Sequence, residues 1–274
     1  MYSTINDVKP NSVVLLGMPF DDYSSYLKGP AKAPAIIRQM MQCDASNTST
    51  ELGRELGDHP LIVDIGDMTW QHPGQAFAVL EHTIAEVVMR SGKPLTFGGD
   101  HSITFPILKG LAKHHQDITI LHFDAHPDLY DILDNNPLSH ACPFARIMEN
   151  NFARRLVQVG IRTLNQHQRE QAERFNVEIY EMKNWCGSDQ IKLDGPVYIT
   201  IDIDALDPAF APGVSHHEPG GLTVRQILDV IQSIDVPVIG ADIVEYNPTR
   251  DINDMTAAVV NKLYKEVCGK MLDC

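Results

Sequence analysis

The sequence predicts an α/β fold of three layers (α/β/α), in which a mostly parallel central sheet of about eight strands lies between helices. Two observations support this prediction. Short apolar runs, most of them ended by glycine, proline or acidic residues, alternate along the chain with longer segments whose apolar residues recur at helical spacing. That alternation is typical of parallel strands connected by helices, and strands buried on both faces are continuous apolar runs in a sequence.

The N-terminal half of the chain contains four apolar runs that predict strands. They lie at 13–17, 61–66, 94–97 and 118–123. Helices are predicted at 34–43, 74–91 and 102–114, and a loop rich in serine, threonine, asparagine and glycine at 44–60. Pro34 suits the first turn of the first helix, and Asp100 or Ser102 can cap the third helix.

The C-terminal half repeats this alternation after a long loop that contains Ser139 and His140. Strands are predicted at 156–160, 177–180, 197–201 and 236–240. Helices are predicted at 143–152, 165–175, 223–234 and 254–271. Most strands are therefore separated by a helix, as parallel pairing requires.

The composition indicates one compact domain over residues 1–274. The 274 residues are 43% hydrophobic, and no linker, low-complexity tract or repeat interrupts them. The first residues lack the layout of a secretory signal or transit peptide, and no apolar run approaches the ~18 residues that span a bilayer. The cytoplasm is therefore the predicted compartment. The five cysteines are odd in number and form no Cys-x-x-Cys pair, which favours reduced thiols.

The formal net charge of −14 bears on the class of partner. An acidic chain is repelled by phosphate backbones and by anionic lipid surfaces. Neither a nucleic acid nor a membrane is therefore an expected partner. The Gly98-Gly99 pair is not part of a Gly-x-Gly-x-x-Gly fingerprint, so no nucleotide site is expected either.

Three residues that can bind metal follow the strand predicted at 118–123. Asp124, His126 and Asp128 alternate with other residues, and they share one face if the chain stays extended. Two carboxylates and an imidazole on one face cannot be buried without water unless a cation compensates them. The spacing therefore predicts a metal site.

Other strands deliver similar groups to the same edge of the predicted sheet. His101, the pair Asp202 and Asp204, and Glu245 each follow a strand, and ligands of open parallel sheets bind beyond the carboxyl ends of the strands. The predicted ligand set is His101, Asp124, His126, Asp128, Asp202 and Asp204. Its four carboxylates balance two divalent ions rather than one. Carboxylate with imidazole suits Mn²⁺, and a metal pair predicts hydrolysis.

These segments resemble the ureohydrolase family, which includes arginases and agmatinases. The resemblance rests on Gly-Gly-Asp-His-Ser (98–102), Asp-Ala-His-Pro-Asp (124–128), Ser-His (139–140), the segment 202–213 and Glu-Pro-Gly-Gly-Leu (218–222). Segments 44–58, 139–149 and 245–251, with Val214-Ser215-His216, resemble the plant-type arginase branch in particular. Agmatinases and animal-type arginases usually have Thr-Gly-Thr at 214–216, so this loop departs from their pattern.

The resemblance implies a role for each residue and two Mn²⁺ per subunit. His101 and Asp128 would hold one ion, His126 and Asp204 would hold the other, and Asp124 and Asp202 would bridge them. A hydroxide between the metals would attack the guanidinium carbon of a small guanidino substrate. Glu245 would pair with the guanidinium, Asp128 would pass a proton to the departing amine, and His140 would shuttle protons. The family also implies a homo-oligomer, either a trimer or a hexamer.

The leading prediction is an arginase that forms urea and L-ornithine. The closest alternative is an agmatinase, which forms urea and putrescine, or another guanidino-acid amidinohydrolase, and a further one is a non-catalytic member of the fold. Arginine and agmatine differ in the α-carboxylate, which needs hydrogen-bond donors. The candidate donors are Asn136, Asn135, Ser139, Lys28 and Arg146.

Four more residues near these motifs have competing interpretations. His122 is predicted to lie on the side of its strand opposite to the ligands, as a core histidine. His216 is predicted to line the substrate channel and His217 to be structural, rather than both binding a third metal. Cys142 lies near His140, but no third group that could orient a cysteine nucleophile is evident.

Overall fold

The computed structural model describes residues 2–273, so the two terminal residues of the predicted domain, Met1 and Cys274, lie outside it. Within that range the strands are β1 (Val13–Gly17), β2 (Ile62–Asp67), β3 (Lys93–Phe97), β4 (Thr119–Phe123), β5 (Arg155–Ile161), β6 (Glu178–Glu181), β7 (Val197–Asp202) and β8 (Val238–Val244). The α-helices are α1 (Ala33–Met41), α2 (Ala76–Met89), α3 (Thr104–Leu111), α4 (Pro143–Glu149), α5 (Gln166–Phe175), α6 (Val224–Ser233) and α7 (Met255–Leu272).

The strands form one eight-stranded sheet in the order β2-β1-β3-β8-β7-β4-β5-β6. Every strand pair is parallel, so the predicted fold class is confirmed and the sheet is wholly parallel. Helices α2, α3, α4 and α5 pack against one another in sequence, and α1 and α6 both pack on α7. The two helical groups cover opposite faces of the sheet and complete the three layers.

The strands are apolar throughout because both of their faces are buried. Leu15 of β1 belongs to the core cluster that contains residues of α1, α6 and α7, and Leu16 belongs to the cluster that contains residues of α2, α3 and α4. Leu121 and Ile120 of β4 divide in the same way. Successive side chains of a strand point to opposite faces, so each strand contributes to two cores.

The prediction for the last strand is wrong in its boundaries. β8 begins at Val238, two residues after the predicted start, and continues to Val244. The prediction ended the strand at Gly240, two residues before the charged Asp242. In the structure Asp242 is fully buried inside the strand and accepts hydrogen bonds from the hydroxyls of Tyr198 (2.7 Å) and Thr200 (2.6 Å). A buried carboxylate with such partners can occupy a central strand.

The turn after β3 requires glycine at the second position of the Gly98-Gly99 pair. The backbone N–H of Asp100 donates to the carbonyl oxygen of Phe20 at 2.8 Å. A Cβ atom on Gly99 would lie 1.7 Å from that same oxygen, so only glycine permits this approach. The side chain of Asp100, one of the two predicted caps, then accepts from the N–H of Ser102 and begins a 3-10 turn, His101–Ile103, ahead of α3.

The four cysteines within the described range, Cys43, Cys142, Cys186 and Cys268, are free thiols. Cys274, which the prediction of reduced thiols also included, lies outside that range. None of the helices between residues 2 and 273 is both long enough and apolar enough to cross a membrane.

Candidate metal centre and substrate cavity

The polar residues predicted at strand ends come together because their strands are consecutive neighbours. β3, β8, β7 and β4 are adjacent and parallel at the centre of the sheet. Their carboxyl ends therefore meet at one edge, where open parallel sheets bind ligands. The residues delivered there are His101 after β3, Asp124, His126 and Asp128 after β4, Asp202 and Asp204 at the end of β7, and Glu245 after β8.

His101 is fully buried and directs its Nδ1 atom at three carboxylates. Nδ1 lies 3.1 Å from Asp124 Oδ2, 3.1 Å from Asp128 Oδ2 and 3.3 Å from Asp202 Oδ2. It nevertheless makes no hydrogen bond with any residue in the described part of the chain. An imidazole nitrogen surrounded by carboxylate oxygens and lacking a hydrogen bond is a donor arrangement that a metal ion completes.

The other ring nitrogen of His101 has surroundings that favour one tautomer of the neutral ring. Nε2 lies 3.0 Å from Thr200 Oγ1, and the Thr200 hydroxyl donates its one hydrogen to Asp242 Oδ1 at 2.6 Å. Thr200 must therefore accept a hydrogen from Nε2. When the ring is neutral with its proton on Nε2, Nδ1 presents a lone pair toward the carboxylates, and this is the form of histidine that binds metal.

The segment 124–128 does not continue β4 as an extended strand, so the geometry assumed for its three ligands is wrong. β4 ends at Phe123, and the chain turns so that the N–H of His126 donates to Asp124 Oδ1 at 2.6 Å. Asp128 then adopts a left-handed backbone conformation with φ 48°. The side chains converge because an aspartate can close such a turn on its own backbone.

His126 directs its Nδ1 atom at a second group of carboxylates. Nδ1 lies 3.2 Å from Asp204 Oδ2 and 3.3 Å from Asp124 Oδ1. Backbone donors hold the aspartates, because the N–H of Ala125 donates to Asp204 Oδ1 at 3.2 Å and the N–H of Asp204 donates to Asp202 Oδ1 at 2.8 Å. The ligand atoms of Asp124, His126 and Asp204 lie within 4.8 Å of one another, as a metal-binding group requires.

These residues fit a pair of cations. Asp124 is shared, since its Oδ2 atom faces His101 and its Oδ1 atom faces His126. Burial and the neighbouring carboxylates of Asp204 and Asp124 raise the pKa of Asp202 well above its ordinary value. Four carboxylates and two imidazoles buried together form a concentration of charge that bound divalent cations would compensate.

The prediction that His122 lies opposite the ligands is wrong. Its Nε2 atom is 2.8 Å from Asp124 Oδ2, and its ring stacks on Phe144 with 4.0 Å between the centroids. Residues 122 and 124 are two positions apart, so alternation along β4 puts both on the same side. That spacing was visible in the sequence and could have identified the contact. His122 is nevertheless buried and hydrogen-bonded, as a core histidine should be.

Glu245 and His140 form a buried pair beside the carboxylates. Glu245 Oε1 accepts from the N–H of His101 at 2.9 Å and from His140 Nδ1 at 2.7 Å. Glu245 Oε2 is buried without a hydrogen-bond partner among the described residues. The glutamate also has a left-handed backbone with φ 61°, which is strained for a residue with a side chain. One acceptor oxygen therefore remains available to a ligand.

His140 is held in a position where its outer nitrogen can change protonation state. Burial lowers the pKa of His140, but the carboxylates of Glu245, Asp100 and Asp128 have the larger combined effect and raise the pKa to about 9. His140 Nε2 lies 2.8 Å from Ser25 Oγ and 3.1 Å from the N–H of Ser25. A protonated Nε2 can donate to that hydroxyl, and an unprotonated Nε2 can accept from that N–H. Ser25 thus accommodates both forms of the ring.

A cavity of about 230 Å³ lies against these groups. Seven of the predicted site residues line it, namely His126, Asp128, His140, Asp202, Asp204, His216 and Glu245. The ring of His216 lies 5.8 Å from that of His126 and 5.3 Å from that of His140, between centroids. The remaining wall includes Ser25, Tyr130, Thr163 and Gln168, none of which the sequence pointed to.

The candidate donors for the far end of the substrate do not reach this cavity. Asn136 Oδ1 accepts from the N–H of Leu138 at 2.9 Å, which closes a turn in the loop. Lys28 pairs with the exposed carboxylate of Asp22, and Arg146 donates to the carbonyl oxygen of Asp131. Asn136 and the other candidates are absent from the cavity lining. Gln168 is the better-placed amide, because it is buried and its Oε1 atom has no described partner.

The surroundings of Cys142 and His217 are those of structural rather than reactive residues. Burial and the nearby Asp128 carboxylate raise the pKa of the Cys142 thiol to about 12, which keeps it protonated and unreactive. His217 is exposed, and its Nε2 atom lies 2.8 Å from the carbonyl oxygen of Pro212.

Comparisons with known proteins agree with the motifs and the fold. A family model described as the arginase family matches residues 11–269. Arginase 1, mitochondrial, of Arabidopsis thaliana is 45% identical over 95% of this chain and 81% of its own length. An agmatinase of Bacillus anthracis is 34% identical over 94% of this chain and 91% of its own length. The solved structure of an arginase from Medicago truncatula superposes with a TM-score of 0.87 at 41% identity, covering 95% of this chain and 87% of that one.

Proposed function

Because the chain belongs to the arginase family and is therefore a ureohydrolase that acts on guanidino C–N bonds, we propose that it converts L-arginine to urea and L-ornithine. The observation that carries this proposal is the buried, unpartnered Oε2 atom of Glu245. It lies in the wall of a cavity that also contains the acidic cluster. A guanidinium is a planar group of N–H donors that pairs with a carboxylate.

The cofactor in this proposal is a pair of Mn²⁺ ions per subunit. His101 and Asp128 would hold one ion, His126 and Asp204 the other, and Asp124 and Asp202 would bridge them. Support comes from the donor set, since carboxylate and imidazole without thiolate suit a hard divalent ion. When bound, such a pair supplies a water molecule acidified to a nucleophile at neutral pH.

The chain's own residues would bind the substrate and move protons. Glu245 would hold the guanidinium through Oε2, while its Oε1 atom stays fixed by His101 and His140. Asp128 would accept a proton from the attacking water and pass it to the nitrogen of the departing amine as the C–N bond breaks. His140 would then exchange a proton with solvent through Nε2, where Ser25 accommodates both protonation states. His216 would cover the substrate between the rings of His126 and His140.

Two observations bear on the far end of the substrate. The plant arginase is more similar to this chain than the agmatinase is, which favours arginine. Gln168 supports the same substrate, because its unpartnered Oε1 atom can accept a hydrogen bond from an α-ammonium group. Agmatine is the second candidate, because no lysine or arginine among the described residues lines the cavity, and these are the side chains that bind a carboxylate best.

The substrate is tested by measuring urea release from L-arginine and from agmatine with Mn²⁺-loaded enzyme. We expect kcat/KM to be higher for arginine. Gln168→Leu should lower kcat/KM for arginine by about 10-fold and leave agmatine nearly unaffected, because a buried polar contact is lost. Gln166→Leu, an exposed glutamine on the same helix, is the control. A higher kcat/KM for agmatine in the wild-type enzyme would reject arginine as the substrate.

Three broader expectations remain predictions. We infer a single ureohydrolase domain, and limited proteolysis should leave it in one piece. A homo-oligomer, either a trimer or a hexamer, should be visible by light scattering. A cytoplasmic location is testable by fractionation of the source cells, and the Arabidopsis thaliana relative named above carries a mitochondrial name.

A further inference from the structure

His122 and Gln158 occupy paired positions on neighbouring strands behind the acidic cluster. β4 and β5 are parallel, and these two residues are partners in register. Both are fully buried. Gln158 Nε2 donates to the carbonyl oxygen of Pro127 at 2.7 Å and lies 3.0 Å from His122 Nδ1. The pair therefore contacts both ends of the turn that carries Asp124 and Asp128.

The hydrogen atoms of this network can be assigned by elimination. A carbonyl oxygen only accepts, so the amide nitrogen of Gln158 must face Pro127. Its second hydrogen then points to His122 Nδ1, which must accept it. The one proton of the neutral ring is therefore on Nε2, 2.8 Å from Asp124 Oδ2, and is donated to that oxygen.

This assignment decides between two roles for His122. The ligand atoms of His101, His122 and Asp124 lie within 4.8 Å of one another, so proximity alone would allow His122 to bind a metal. A nitrogen that carries a proton has no free lone pair. From this geometry we infer that His122 and Gln158 are positioning residues that orient Asp124 as a shared ligand, and that His122 is not itself a ligand.

Two hydrogen bonds fix the direction in which the Asp124 carboxylate faces His101 and His126. One N–H donor holds each of its oxygens, from His122 at Oδ2 and from the backbone of His126 at Oδ1 at 2.6 Å. The remaining lone pairs face His101 and His126. Phe144 stacks on the His122 ring and fixes its plane. Gln158 Oε1 is left buried without a described partner, so the amide satisfies the network through its nitrogen alone.

This inference rests on the proposed metal centre, and its first test is Mn²⁺ binding by calorimetry. His122→Gln keeps an N–H donor near the position of Nε2, and His122→Met removes it at similar size. We expect His122→Met to weaken Mn²⁺ binding by about 10- to 100-fold with the number of ions at saturation unchanged. His122→Gln should restore most of the affinity. A loss of one ion from both variants would show that His122 is a ligand, and unchanged affinity in His122→Met would also reject the inference.

Gln158→Leu provides a second route that leaves His122 in place. It should weaken Mn²⁺ binding in the same direction as His122→Met. Combined with His122→Met it should add little further loss, because both residues act on the same oxygen of Asp124. This variant keeps the inference testable if His122→Met fails to fold, and additive losses would contradict a shared role.

A third measurement separates this inference from the proposed function. In protein with ¹⁵N-labelled histidine, the His122 ring should appear as the neutral Nε2–H tautomer both in the metal-free protein and in protein treated with Zn²⁺, a diamagnetic ion that leaves the signals of nearby nuclei visible. Its signal is assigned by its absence from His122→Gln. An Nδ1–H tautomer would overturn the inference even if the enzyme binds metal. Failure of the wild-type protein to bind any divalent cation would reject the metal centre and leave the tautomer result standing.

Discussion

Glu245 shows most directly how one residue combines strain with an unused hydrogen-bonding atom. Its backbone is left-handed, its side chain is buried, and Oε2 has no described partner. A strained backbone costs on the order of 1–3 kcal/mol, and an unsatisfied buried oxygen costs a similar amount. The structure tolerates both at the same residue, which is typical of a position selected for binding rather than for stability.

We predict that the single substitution Glu245→Gln removes most turnover and leaves the metal content unchanged. The amide can still accept from His101 and His140 through one oxygen, but it places a neutral NH₂ group where the guanidinium needs a negative oxygen. The loss in kcat/KM should be about 10²-fold or more. Steady-state urea release and metal analysis of the same sample measure both quantities.

Glu266→Gln is the matched control for that variant. Glu266 is also a buried glutamate, but it lies on α7, where it pairs with Lys262 and accepts from the N–H of Glu51. It should lose stability and keep its turnover. Loss of metal from Glu245→Gln would mean that Glu245 belongs to the metal centre.

At the scale of elements, the turn between β3 and α3 depends on a close backbone contact. A Cβ atom on Gly99 would collide with the backbone of Phe20. The next two residues are the cap Asp100 and the candidate ligand His101. Any displacement of this turn therefore moves His101 relative to the carboxylates of the other strands. Packing at Gly99 and the geometry of the metal centre are thus coupled.

We predict that Gly99→Ala lowers the free energy of unfolding by about 1–3 kcal/mol or more, because the methyl group overpacks against backbone. It should also weaken Mn²⁺ binding. Thermal unfolding and calorimetry measure the two effects. Gly74→Ala is the control, since a Cβ atom there meets nothing within 4 Å. Equal stability of the two variants would contradict the prediction, because it would show that the backbone around Phe20 can shift at little energetic cost.

The start of α7 depends on one aspartate in the preceding loop. Asp251 accepts hydrogen bonds from the N–H groups of Thr256 (2.9 Å) and Ala257 (3.0 Å) and from the hydroxyl of Tyr246 (2.9 Å). Although partial burial raises it, the N–H groups of Thr256 and Ala257 hold the pKa of Asp251 below its ordinary value. The ionised carboxylate therefore stabilises the folded state.

Asp251→Asn should lower stability by about 0.5–2 kcal/mol near neutral pH, as for the loss of a helix cap. A lowered pKa in the folded state adds stability above the unfolded value of about 3.9, and that stability is lost as pH falls through the lower folded pKa. The variant should therefore approach the wild type in stability in acid. Urea unfolding at several pH values tests this, with the exposed Asp235→Asn as control. A constant gap between variant and wild type would contradict it.

For the whole molecule, the acidic cluster joins the four central strands. Each of β3, β4 and β7 contributes candidate ligands, and β8 lies between them with Glu245 at its end. The overall charge of −14 adds to the repulsion among the buried carboxylates. A cation that binds only the folded chain would therefore stabilise the centre of the sheet.

We predict that Mn²⁺ raises the melting temperature in proportion to the logarithm of its free concentration. The free energy of unfolding should rise by about 4 kcal/mol for each bound ion at a free concentration 1,000 times Kd. Differential scanning calorimetry with and without a chelator measures it. Asp124→Asn, which alters the shared carboxylate, should show a much smaller shift and little activity. Equal melting temperatures with and without Mn²⁺ would contradict the proposed centre.

The sequence by itself determined the fold class and the sheet edge at which the polar residues lie. Strands buried on both faces have continuous apolar runs, and parallel strands end at a common edge, so both conclusions follow from local patterns. The sequence did not determine the ends of a strand where a polar residue is buried with hydrogen-bond partners from other strands. Asp242 is the clearest case, because only its contacts with Tyr198 and Thr200 show that β8 continues through it.

Only the tertiary structure decided which atoms face one another. The approach of His101 to Asp124, the free oxygen of Glu245 and the place of Gln168 in the cavity depend on residues from different strands and loops. Asn136 was a reasonable donor by type, but its side chain is used within its own turn. Residue type is written in the sequence, whereas hydrogen-bond partners are set by distances between segments that are far apart along the chain.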